Sequence, residues 1–174
     1  MIATAVLAGC RIFVGVVFLV SFVGKVRVRE RYTDFIKAAG ELAPGLPPKA
    51  TAAVVVVAEA ATVVFVALPA TALAGFAVAI GLLIAFTTGI LVAVRRRRRV
   101  LCQCFGTSSA PVGPVHILRN LILLVGAAGG AVLTVSPSGP AEPAGLVTAA
   151  VCAAVLAWLT FRTDDIAELF RSTT

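Results

Sequence analysis

Charge is what this chain has least of. Acidic and basic residues together make up 13% of its 174 residues, about half the share carried by an ordinary soluble domain. That shortage excludes a water-soluble globule and points to an integral membrane protein, in line with a mean hydropathy of +1.05. Acidic residues are the scarcer sign, 8 against 15 Lys and Arg. The net charge of +7 would suit nucleic acid if it formed a patch. Most of the basic residues instead flank apolar runs, where they act as topology determinants, so no nucleic-acid partner is expected. No basic stretch precedes the first apolar run, Ile2 to Val23, and that run is long enough to cross a bilayer. It reads as a span and not as a secretory signal peptide. Repeats are missing, and so is any stretch polar enough for a soluble domain, so residues 1–174 are expected to form a single transmembrane domain in a bacterial-type cell membrane.

What the chain does have is apolar length. Five runs, at about residues 2–24, 51–68, 70–94, 115–135 and 144–161, each suit a membrane-crossing helix. The expected fold is all-α: a bundle of about five transmembrane helices around a four-helix core, with the lipid bilayer as its main partner. Between the first two runs, Arg27, Arg29, Glu30, Arg31, Asp34, Lys37 and Glu41 alternate with Tyr32, Phe35, Ile36 and Ala39 at helical spacing. This predicts a short amphipathic helix that lies on the membrane surface or caps the bundle. Pro44, Gly45, Pro47 and Pro48 end it. Gly75, Gly81 and Gly89 in the third run, and Gly126 with Gly130 in the fourth, offer small faces for close helix approach. Thr87 and Thr88 are expected to bond their own helix backbone. Trp158 suits an interfacial aromatic position, and the polar stretch from Arg162 to Thr174 is read as a short tail.

Few polar residues sit inside the spans, and those few carry the chemistry. Arg11 lies in the first half of span one, either facing the interior or snorkelling to the nearer surface. Glu59, near the middle of span two, is the only acidic residue well inside a span. A carboxylate there implies a partner. Rise per residue puts Arg11 and Arg119 within about 6 to 8 Å of its depth, and these two are the candidates. The pair either fixes helix packing or serves a reactive site.

That reactive site is sought in Leu101-Cys102-Gln103-Cys104-Phe105-Gly106, between Arg95–Arg99 and the helix start marked by Pro111, Gly113 and Pro114. Cysteines at i and i+2 close only a small, strained disulfide ring, and strain makes a disulfide labile. Neighbouring cations and a helix N-terminus favour the reactive thiolate. The leading reading is therefore a reversible dithiol. A soft-metal chelate using Cys102, Cys104 and His116 is the alternative, weakened by the missing fourth ligand. Two inert apolar cysteines are the third reading. His116 and Asn120 share a helix face at the start of span four, with Arg119 beside them. A quinone between the helices is compatible with this composition and not indicated by it.

Loops one and three hold nearly all the flanking Lys and Arg, and loops two and four none. The positive-inside rule then puts the N-terminus outside, and the C-terminus and the dithiol on the cytoplasmic side. Cys10 and Cys152 would lie in the outer half of the membrane, as a second dithiol or as two small apolar residues.

The chain resembles the MauE family of methylamine-utilisation membrane proteins, within a broader DoxX-like group. The resemblance runs from span one to span four. It rests on Arg11-x-x-x-Gly15-x-x-Phe18 with Ser21 and Lys25, on Glu59, on Cys102-Gln103-Cys104-Phe105-Gly106, and on Arg119-Asn120. In the family the middle residue of the CxC is often glycine; here it is Gln103. The architecture is also similar to vitamin K epoxide reductase. The resemblance implies a bundle that acts with a thioredoxin-like partner in disulfide formation and maturation of the methylamine dehydrogenase small subunit. The redox work would then fall on Cys102 and Cys104, with Glu59, Arg119 and Asn120 in support. Metal handling, small-solute transport and a non-catalytic assembly role are the competing functions. Disulfide formation outside the cell would want the dithiol on the outer face, whereas the charge bias puts it inside.

Overall fold

A computed structural model describes residues 2–95, 114–136, 139–140 and 142–171, with side chains described for 116–136 and up to 162 in the last stretch. The elements of the described chain are helices: α1 Ile2–Val26, α2 Arg29–Leu42, α3 Pro48–Ala67, α4 Ala72–Arg95, α5 Pro114–Val135 and α6 Pro143–Arg171. Five of these, all but α2, are long and apolar enough to cross a membrane. This is the expected helical membrane bundle, with span limits shifted by a few residues.

Proline sets the helix starts. α3, α5 and α6 each begin on a proline, where the missing N–H is one the first turn would leave unbonded anyway. Proline also ends α3: Leu68, just before Pro69, is extended at φ −94°, ψ 127°, as the ring of a following proline demands. A single 3-10 turn, Pro69–Thr71, then reverses the chain into α4. The turn after α2 closes with Gly45 at φ 100°, a backbone conformation cheap only for glycine.

α1, α3, α4 and α5 form a ring in which each packs on the next, and α6 lies along α1 with little contact to α5. The expected four-helix core is this ring. Its apolar centre holds Phe13, Val14, Val17 and Phe18 of α1 with Val66, Phe76, Ala79, Leu83, Leu123 and Ala127. Val54, Val57, Val64, Val125 and Val132 point outward. Apolar side chains thus fill the centre and cover the outside as well, as expected where the surrounding solvent is hydrocarbon.

Glycine sets the closest approaches. A Cβ on Gly75 would lie 2.6 Å from Val66 Cγ2 and 2.7 Å from the Val66 amide nitrogen, so α3 and α4 touch backbone to side chain there. Gly126 and Gly130 do not serve one helix pair. Gly126 receives the ring of Phe13 from α1, and Gly130 receives the ring of Phe76 from α4. α5 is notched twice to seat aromatic rings from two neighbours.

α2 caps the bundle. Phe35, Ala38 and Ala39 are buried, and Phe35 and Ala39 pack on Ala52 of α3. The end of α4 meets α2 at Leu42 and α5 at Ile117. At the C-terminus α6 runs on through Arg162 to Arg171, so the short polar tail is helical over that stretch. That stretch contains neither glycine nor proline, so nothing in it stops the helix.

Candidate functional site

The capped end of the bundle contains a buried polar cluster. Phe18, Ser21 and Lys25 recur at spacings of three and four, which puts them on one face of α1. That face meets α3 at Glu59. Lys25 Nζ lies 2.6 Å from Glu59 Oε1, and both side chains are 1% exposed. Ser21 Oγ donates to the same oxygen at 2.9 Å, and Lys25 Nζ donates to Ser21 Oγ at 2.6 Å. The three groups close a triangle. Phe35 of α2 sits over the ammonium, its ring centre 5.0 Å from Nζ, a cation–π contact that also closes the pair off from that end.

Glu59 uses only one oxygen in this triangle. Oε2 is buried and has no hydrogen-bond partner among the described residues. Glu59 also lines a small cavity of about 20 Å³ with Phe18, Ser21, Phe86, Arg119 and Asn120. That is room for one water molecule among polar groups able to hold it. Asn120 Nδ2 donates to Thr87 Oγ1 at 3.3 Å, tying α5 to α4. Thr87 and Thr88 bond the carbonyls of Leu83 and Ile84 on their own helix, as expected. His116 and Arg119 are buried in the first turns of α5.

Two expectations about Glu59 and Arg11 need correcting. The partner of Glu59 is neither Arg11 nor Arg119 but Lys25. Lys25 directly follows the first apolar run, and a lysine in that place ordinarily marks the membrane surface. Here α1 continues to Val26 and α2 folds over the lysine. Arg11 works at the opposite end of the bundle. Its Nε donates to Val66 O at 2.8 Å and its Nη2 to Ala67 O at 2.6 Å. These are last-turn carbonyls that α3 cannot bond within itself, so Arg11 caps the C-terminus of α3 from a neighbouring helix.

Cys102 and Cys104 lie outside the described residues, as do Arg96–Arg99. The metal set Cys102, Cys104 and His116 is therefore described only at His116. Among the described residues no group of three or more His, Cys, Asp or Glu could hold a metal ion. Cys10 and Cys152 are free thiols that line one lipid-open groove between α1, α5 and α6. Sequence reasoning missed Lys25 and Ser21 as site residues. Their i, i+4 spacing from one another and their place in the span-one motif were the available signal.

A five-span helical bundle that buries a lysine–carboxylate pair beside a basic and an amide residue is an integral membrane protein with a buried polar cluster at one end of its bundle. Among known families, the model described as Methylamine utilisation protein MauE matches residues 3–133, and the chain belongs to that family of membrane proteins. No curated protein and no solved structure matches the chain.

Proposed function

We propose that this chain is a membrane thiol–disulfide redox protein. In this reading Cys102 and Cys104 exchange electrons with a thioredoxin-like partner during maturation of a client such as methylamine dehydrogenase. One observation carries the reading. The segment holding Cys102-Gln103-Cys104 joins α4 to α5, and those two helices bound the same bundle end that contains Lys25, Glu59, His116, Arg119 and Asn120. Family membership supports the methylamine connection.

The chemistry balances as a thiol–disulfide exchange. One CxC thiolate attacks a partner disulfide and expels a partner thiolate; the second CxC thiolate then attacks the mixed disulfide and expels the other. The CxC ends oxidised and the partner reduced, and the protons of both CxC thiols pass to the partner's sulfurs or to groups nearby. The reverse sequence reduces the CxC. Buried charge at this end serves the exchange in two ways. Arg119 favours the thiolate, and Glu59, on the small cavity it shares with Arg119 and Asn120, offers a carboxylate oxygen on which a proton can rest.

The test is the redox state of the two thiols in native membranes, read by alkylation and mass shift. A pair that shifts between reduced and oxidised with cell redox conditions is expected, and Cys102→Ser or Cys104→Ser is expected to abolish client maturation while the bundle still accumulates. Thiols that stay reduced under every condition, or full activity in both variants, would overturn the reading. Stoichiometric copper or zinc in the purified protein would favour metal handling instead.

A further inference from the structure

We propose that the outer flank of α1 against α3 is a binding site for one anionic phospholipid, with Arg11 holding its phosphate. A guanidinium has five N–H donors in a planar fork suited to phosphate. Arg11 spends two of them on Val66 O and Ala67 O. These bonds fix the side chain rigidly at the end of α3, beside the Pro69–Thr71 turn where that helix stops. The remaining edge of the fork has no partner among the described residues, and Arg11 is only half-buried.

From this cation a groove of about 430 Å³ runs along the helix pair. Ile12, Val16, Leu19 and Val63 form its walls and Gly15 its floor, and among the described residues Arg11 is the only charged one lining it. A Cβ on Gly15 would meet nothing within 4 Å, so the glycine leaves the floor open where any larger side chain would fill it. The groove is thus shaped for an acyl chain with its polar head at Arg11. Charge selects the head. A second groove on α1, of about 660 Å³, is lined by Cys10 and Cys152, and among the described residues Glu142 is its only charged one. Glu142 would repel a phosphate. Two apolar grooves on one helix therefore differ in the sign at their mouths, and only the one at Arg11 suits an anionic lipid.

The experiment is native mass spectrometry of the full-length protein in detergent, titrated with phosphatidylglycerol or with phosphatidylcholine. The wild type is expected to retain one phosphatidylglycerol at collision energies that strip phosphatidylcholine. Arg11→Gln is expected to lower that retention about tenfold, the equivalent of losing one charge-assisted hydrogen bond. Because Arg11→Gln also removes the cap on α3, Gly15→Leu provides an independent arm: it leaves the arginine and its cap in place, fills the groove, and is expected to lower retention similarly. Equal retention of the two lipids by the wild type, or retention of phosphatidylglycerol unchanged in Gly15→Leu, would overturn the proposal.

Discussion

Lys25 on α1 and Glu59 on α3 hold opposite charges 2.6 Å apart where neither side chain is more than 1% exposed. Burying both is expensive. Each ion sheds its hydration, and the mutual attraction repays this only with good geometry and further hydrogen bonds. Ser21 supplies one such bond to Glu59, and Phe35 supplies a face for the ammonium. The pair also locks α1 against α3 in one register, since sliding either helix by a turn would strand a charge among apolar side chains. A purely apolar α1–α3 seam would tolerate several registers.

The energetic consequence is asymmetric. Lys25→Met leaves a carboxylate buried without its cation and is expected to destabilise the bundle by about 3–5 kcal/mol. Glu59→Leu strands the ammonium at similar cost. The double variant Lys25→Met with Glu59→Leu removes both charges together and is expected to recover most of the loss. Thermal unfolding of the three variants in detergent, treated as a double-mutant cycle, checks this. Equal damage from the double variant and the sum of the single ones would mean that the two charges do not act as a pair.

Whether Glu59 also serves the thiols is a separate question with a separate readout. Glu59→Gln keeps the side chain's shape and removes its negative charge. If the carboxylate acts on the CxC, removing that charge favours thiolate, and the pH profile for alkylation of Cys102 and Cys104 moves to lower pH by about half a unit to one unit. A profile that does not move assigns Glu59 to packing alone. The measurement is the rate of mass gain with a small maleimide in detergent, taken across neutral to alkaline pH.

The notches on α5 give a prediction independent of charge. Phe76 is fully buried with its ring against Gly130, so Gly130→Leu drives a side chain into an occupied space. Overpacking of this kind costs about 1–3 kcal/mol. Shrinking the ring in the variant Phe76→Leu makes room, and Gly130→Ala combined with Phe76→Leu is expected to be more stable than Gly130→Ala alone. The melting temperatures of these variants test whether Gly130 exists for this ring. Gly129, whose added Cβ would meet nothing within 4 Å, is the control position and is expected to accept alanine with little change.

How much of this was legible in the sequence depended on which signal each feature used. The five spans were readable because hydrocarbon demands long apolar runs, and proline marks the starts of α3, α5 and α6. α2 was readable from its 3.6-residue period, with Phe35 and Ala39 turned inward as expected. Glu59 was readable as a buried charge because nothing else acidic lies inside a span. Its partner was not, because depth counted along each helix assumes straight spans normal to the membrane and gives no azimuth. Lys25 sits where a boundary lysine belongs, and only α2 folding back over it makes it interior. Arg11 defeated the reading for a different reason: its partners are backbone carbonyls at the end of another helix, which no side-chain pattern announces. The two roles of Gly126 and Gly130 were hidden likewise, since a four-residue spacing suggests one partner helix and not two aromatic rings.

Sidedness yields the last prediction, and it turns on charge distribution alone. Arg27, Arg29, Arg31, Lys37 and Arg95–Arg99 fall in loops one and three, and no Lys or Arg falls in loops two and four. Positive flanking charge faces the cytoplasm, so the end that contains Lys25 and Glu59, and the segment bearing Cys102 and Cys104, should face inward. A membrane-impermeant maleimide applied to intact cells is expected to leave Cys102 and Cys104 unlabelled and to label them once the membrane is opened. Cys10 and Cys152, which line a groove open to lipid, are replaced by alanine beforehand so that the readout comes from the CxC alone. Strong labelling in intact cells would reverse the orientation. It would put the dithiol where disulfides of exported clients form, and would mean that the arginine run does not set the topology of this chain.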